Sequence, residues 1–155
     1  MTLLAPSFIA PNGWCPPEIT LYAAGACRPR PPNGLACWAW SACDAVHREI
    51  AYDYGCLGQR PRLTNEVAGY VAAGKALRWA ADQQLRGVYL YVGSKPVVHH
   101  VAGHWHCDDP TLRPLLARLR ELVDTTGATL EWLPHERNLR AAALTHAAYW
   151  EARHV

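Results

Sequence analysis

Ile19-Thr20-Leu21-Tyr22-Ala23-Ala24-Gly25-Ala26-Cys27 is the stretch on which the reading of this chain turns. β-Branched and aromatic residues open it, small residues follow, and a glycine stands at position 25. Such a run reads as a strand over 19–24, buried on both faces and closed by a tight turn at Gly25.

Working outward, residues 28–34 (Arg-Pro-Arg-Pro-Pro-Asn-Gly) form a turn-rich connection. It leads to a second strand over 35–42, with Trp38 and Trp40 on one face. A turn around Asp44 precedes a third strand over 47–55, so two successive hairpins make an antiparallel meander. A basic loop over 58–63 carries Arg60-Pro61-Arg62. Thr64 then reads as the N-cap of a helix over 65–84, whose apolar face holds Val67, Val71, Gly74 and Leu77. The short apolar run 88–92 is a fourth strand, ended by Gly93-Ser94. A helix between strands makes a crossover, which predicts that this strand lies parallel to the first. A short helix over 95–101 and a loop over 104–108 follow. Asp109-Pro110 supplies an N-cap and a proline at the first helical position. Leu112, Leu115, Leu116, Leu119 and Leu122 mark the apolar face of that helix, and Gly127 ends it. A fifth strand over 129–133 and an alanine-rich helix over 138–153 complete the order. Upstream, residues 1–17 read as a proline-rich extended arm, tied down by Phe8, Ile9 and Trp14.

With 155 residues, one domain over 18–155 is expected, large enough to hold a core without disulfides. Half the residues are apolar, which excludes a disordered chain. The net charge of +2 implies no partner by itself. The basic side chains are 13 arginines against 2 lysines, and arginine suits bidentate phosphate or carboxylate contacts. None of the six cysteines (15, 27, 37, 43, 56 and 107) forms a C-x-x-C pair, so buried free thiols in a reducing compartment are expected. There is no signal-peptide pattern and no membrane-length apolar run. A soluble, cytoplasmic protein follows, with no membrane partner.

Five strings in this order resemble the ribonuclease H family, from about Ile19 to Tyr149. They are Leu21–Cys27, Thr64–Tyr70, Ser94–Val98, Leu112–Leu115 and Glu131–Asn138. The resemblance implies an α/β, RNase H-like fold: a five-stranded mixed sheet in the sequence order β-β-β-α-β-α-β-α, flanked by helices. It implies a two-metal phosphodiester hydrolysis in which four carboxylates hold Mg²⁺. Those four positions fall on Ala24, Gly69, Gly93 and Ala142, none of them acidic. The expectation is a catalytically inactive member with no cofactor and no metal.

What remains is a set of cations near the C-terminal ends of strands one, three and four: Arg28 and Arg30, Arg60 and Arg62, and Lys95. With Asn65 they are the candidate nucleic-acid contacts, for RNA/DNA hybrid or duplex RNA. Glu66 stands where the family commonly has an asparagine that contacts substrate. The alternative is a protein-interaction module with no nucleic-acid role. A third reading places relocated chemistry at His99, His100, His104, His106, Cys107, Asp108 and Asp109. No standard zinc spacing occurs there, and an exposed polar loop is expected. His135 lies near a mobile histidine of some family members. Of the tryptophans, Trp14 and Trp105 are expected to be exposed and the rest packed.

Overall fold

The computed structural model describes residues 18–29 and 34–154; the expected N-terminal arm and Arg30 lie outside them. The elements are β1 (Thr20–Arg28), β2 (Leu35–Cys43), β3 (Glu49–Gly58), α1 (Asn65–Asp82), β4 (Tyr89–Val92), α2 (Lys95–Ala102), α3 (Arg113–Thr126), β5 (Thr129–Trp132) and α4 (Leu139–Arg153). They build one five-stranded sheet in the spatial order β3-β2-β1-β4-β5. β1 pairs antiparallel with β2 and β2 with β3, while β4 lies parallel to β1 and β5 parallel to β4. The expected meander and parallel crossover are both present, and the C-terminal ends of β1, β3, β4 and β5 lie at one end of the sheet.

The first strand departs from expectation at Gly25. β1 does not turn there but runs on to Arg28, with Gly25 opposite Trp38 of β2. The glycine serves a close approach instead of a bend. A Cβ at this position would lie 2.3 Å from both the Ala68 carbonyl carbon and the Gly69 nitrogen of α1. Only a residue without a side chain lets strand and helix meet so closely.

Strand alternation puts Gly25 and Arg28 on opposite faces of the sheet. α1 covers the first face and α4 the second, where Arg28 reaches Thr145. α1 is the central helix, buried at Ala68, Ala72, Ala73, Ala76, Leu77 and Ala80. Small residues along it permit the tight seat on β1 and β2. Its start is as expected: the Thr64 hydroxyl accepts from the Val67 N–H at 3.3 Å. α3 packs outside α1 through Leu116, Leu119 and Leu122 and ends at Gly127 in the left-handed conformation, φ 62°. Its start is later than expected. Asp109 caps a turn, accepting from the Thr111 N–H at 2.8 Å, and the helix begins at Arg113 with Pro114 in its first turn.

Candidate functional site

The C-terminal end of β1, the residues following β4, the start of α1, and the end of β5 with the turn into α4 surround one groove of about 870 Å³. From β1 it takes Gly25 to Arg28, from α1 Asn65 and Glu66, and from the β4–α2 junction Gly93 to Pro96. Trp132, Pro134, His135 and Glu136 close the far side. Parallel pairing of β4 with β1 brings these segments to the same sheet end.

Ala24 and Gly93 are neighbours at the head of the groove. A Cβ on Gly93 would lie 3.8 Å from the Ala24 Cβ and 3.4 Å from the Asn138 amide nitrogen. The Gly93 N–H donates to the Ala23 carbonyl at 3.0 Å, and Asn138 Nδ2 donates to that same oxygen at 3.0 Å. Asn138 is buried, precedes α4, and thereby ties this helix to β1. Its Oδ1 is buried without a hydrogen-bond partner. Gly69 sits one step along, where a Cβ would come within 3.0 Å of the Ser94 Cβ. Ala142 lies one turn into α4, its N–H bonded to the Asn138 carbonyl at 3.0 Å.

Of the expected contact residues, the fold brings Arg28, Asn65 and Lys95 to this groove and leaves two outside it. Arg60 and Arg62 are exposed in the β3–α1 loop and do not line it. The physical reason is lateral distance: β2 separates β3 from β1, roughly 10 Å across the sheet. Arg28 Nη1 donates to the Thr145 hydroxyl at 3.3 Å, and that hydroxyl donates to the Ala142 carbonyl at 2.7 Å. The Lys95 ammonium stands 5.0 Å from the centroid of the Trp132 ring, a cation–π arrangement. Sequence reasoning missed Trp132, which is 43% exposed, and also Trp150, 52% exposed; Trp105, at 43%, is exposed as expected.

The His/Cys segment is an exposed loop over 103–109, as expected, except that Cys107 within it and His100 before it are buried. His99 and His100 belong to α2, and His100 is buried with its Nδ1 2.8 Å from the Tyr70 hydroxyl. Burial pushes that phenol's pKa upward. His99 stacks on Trp105 with centroids 4.4 Å apart, and Cys107 is buried. These histidines face inward because they sit on a helix that packs on α1 and α3. His106 instead lies at the surface, 3.1 Å from Asp108. Among the described residues no group of three or more His, Cys, Asp or Glu side chains is placed to hold a metal ion.

The strand order, the parallel β1–β4 pair and the groove at their shared end define an RNase H-like domain. Residues 25–148 match the family model described as Reverse transcriptase-like, and the chain belongs to that family. It is 32% identical over 138 residues to Ribonuclease HI of Halobacterium salinarum, a match covering 87% of this chain and 66% of the relative. The chain thus spans just under two thirds of that relative's length. The crystal structure of RNase H1 from Halobacterium salinarum superposes with a TM-score of 0.77 at 29% identity, covering 86% of this chain and 98% of that one. LC11-RNase H1, solved in complex with an RNA/DNA hybrid, gives a TM-score of 0.78 at 23% identity, over 88% of this chain and 99% of that one. At that identity the likeness concerns the fold.

Proposed function

We propose that this chain is a catalytically inactive RNase H-like protein that binds nucleic acid, RNA/DNA hybrid or duplex RNA, along the groove holding Arg28, Asn65 and Lys95. One observation carries the reading. The positions that the family resemblance assigns to metal-binding carboxylates are Ala24, Gly69, Gly93 and Ala142, and they carry methyl groups and hydrogens only. Mg²⁺ requires hard oxygen ligands, and these side chains supply none. The residues present therefore do not fit the family's metal pair. Binding is supported by the retained groove, by its two cations and by the kinship with a ribonuclease HI. An arginine, a lysine and an asparagine amide contact phosphate and sugar without needing a metal.

The test uses the purified chain with a labelled RNA/DNA hybrid in Mg²⁺ and in Mn²⁺. The expected result is saturable, salt-dependent binding with no cleavage above a protein-free blank. Turnover would refute the inactive assignment, and absence of binding at low salt would refute the nucleic-acid half.

The alternative, a protein-interaction module, has one feature in its favour. Leu139, Ala143, His146 and Trp150 recur at helical spacing on α4 and all are exposed, Leu139 to 70%. A light-scattering mass above that of the monomer, combined with no hybrid affinity, would favour it.

A further inference from the structure

We propose that the Arg28 guanidinium takes over the charge role of the divalent cations, so that the groove grips a nucleic-acid phosphate with no metal. The inference rests on the reading above, that the chain binds nucleic acid with a site unsuited to metal. Arg28 closes β1 on the face covered by α4, the face that Ala24 shares by alternation. Its guanidinium is held at Thr145, a fully buried residue whose hydroxyl is itself fixed on the Ala142 carbonyl. The cation therefore stands one helical turn from position 142, at the edge of the emptied cluster.

The Thr145 bond uses one of the guanidinium's five N–H donors. Among the described residues no carboxylate lies within ion-pair distance of Arg28 or of Lys95. The groove lining holds two cations, Arg28 and Lys95, against two carboxylates, Glu66 and Glu136, and is formally neutral with His135 uncharged. Carboxylates at positions 24, 69, 93 and 142 would bring four further negative charges, and a phosphate could then approach only behind divalent ions. Without them, a phosphate meets a guanidinium fork whose geometry matches two of its oxygens. Thr145 holds that fork in place beforehand, which lowers the ordering cost of binding. Thr145 is thus a positioning residue and Arg28 the contact.

The experiment is fluorescence anisotropy of a labelled RNA/DNA hybrid with the full chain, in EDTA and in excess Mg²⁺ at matched ionic strength. Affinity in EDTA is expected to equal or exceed that in Mg²⁺, because Mg²⁺ competes for the phosphates. Arg28→Gln is expected to weaken binding about tenfold, the worth of one charge-assisted hydrogen bond. It should also lower the salt slope by about one. Arg28→Lys keeps the charge, so it should restore the slope while recovering only part of the affinity. Thr145→Val keeps shape and charge, and should weaken binding a few fold with the slope unchanged. A thermal melt of each variant separates misfolding from lost contact. Binding that appears only on adding Mg²⁺, or Arg28→Gln binding as tightly as the parent, overturns this inference while leaving nucleic-acid binding intact. Cleavage of the hybrid, or no binding by the parent in either buffer, overturns the earlier reading and this inference with it.

Discussion

Replacing Gly25 with alanine and replacing Gly74 with alanine should move stability in opposite directions. At Gly25 the added methyl would stand 2.3 Å from two backbone atoms of α1 and 2.7 Å from the Ala68 Cβ. Ordinary carbon contacts need about 3.5 Å or more, so helix and strand must part by about 1 Å. A gap of that size forfeits roughly a quarter to a half of the dispersion well along the seam, and here the seam is the buried alanine face of α1. Overpacking against yielding side chains typically costs about 1–3 kcal/mol. Against backbone the upper end applies, so the expected loss is about 3 kcal/mol or more, a fall in Tm of roughly 6–12 °C for a chain of this length. Gly74 is the control. It lies within α1 with nothing inside 4 Å of a built Cβ, so alanine there gains about 0.5–1 kcal/mol from helix propensity and a less flexible unfolded chain. Urea midpoints and thermal melts of both variants beside the parent give the comparison. If Gly25→Ala falls within about 0.5 kcal/mol of the parent, the ordinary range for an innocuous surface change, the close-approach account of β1 and α1 is wrong.

Other expectations can be checked with the same preparation. Arg140 donates twice to Glu49, at 2.8 and 2.9 Å, tying α4 to the edge strand β3. Arg140→Ala should cost about 1 kcal/mol or less, as a partly exposed pair does. Arg140 first, and the Ser41 hydroxyl, hold the Glu49 carboxyl below its usual range. The pair's contribution is therefore complete above about pH 4.3 and lost as pH falls through the lowered value. The gap between parent and variant urea midpoints should close on the acid side, and a constant gap would refute the assignment. Cys37, chiefly through burial and then through Cys56 with its sulfur 2.7 Å away, has a thiol pKa pushed well up from 9.0. Its contribution is present below that ordinary value and lost as pH climbs above it. Cys37→Ala should flatten the alkaline limb of stability against pH, and an unchanged limb would assign the loss elsewhere. Combining Ala24→Asp, Gly69→Glu, Gly93→Asp and Ala142→Asp should create a melting temperature that rises with added Mg²⁺, which the parent lacks. No metal response in the folded variant would mean these are not the metal positions.

Features whose cause is local were legible. Thr64 caps the residue three places on, and Gly127 stops α3 by its own backbone conformation, so sequence order alone reveals both. The pairing of β4 with β1 was legible through the crossover rule. Gly25 was misread because a glycine after an apolar run looks the same whether it bends the chain or admits a helix. The distinguishing contact, Ala68, lies 43 places downstream. His100 was misread for the same reason, since its partner Tyr70 is 30 residues away. Asp109-Pro110 and Pro114 are both good helix starts, and packing of Leu116 and Leu119 against α1 chose the second. Nearness to strand ends in the sequence groups the cations together. That grouping succeeds for the adjacent strands β1 and β4 and fails for β3, which sits beyond β2.

The four positions that the family resemblance assigns to carboxylates differ in the space around them. At Gly93 a side chain would meet its neighbours at 3.4–3.8 Å, ordinary contact, and Ala24 beside it already carries a Cβ. At Gly69 the Ser94 Cβ stands 3.0 Å from where a side chain would begin, with Val97 at 3.5 Å. The site is thus open around β1 and β4 and filled from the α1 side by the start of α2. A carboxylate could return to 24 or 93 with little rearrangement, whereas 69 requires Ser94 to yield by a few tenths of an ångström. The part left open lies beside the buried Asn138, and the part filled in faces Ser94 and Val97. On the proposed function, this groove holds a phosphate through its cations, and the space at 24 and 93 is where returned carboxylates would first test the metal half of that proposal.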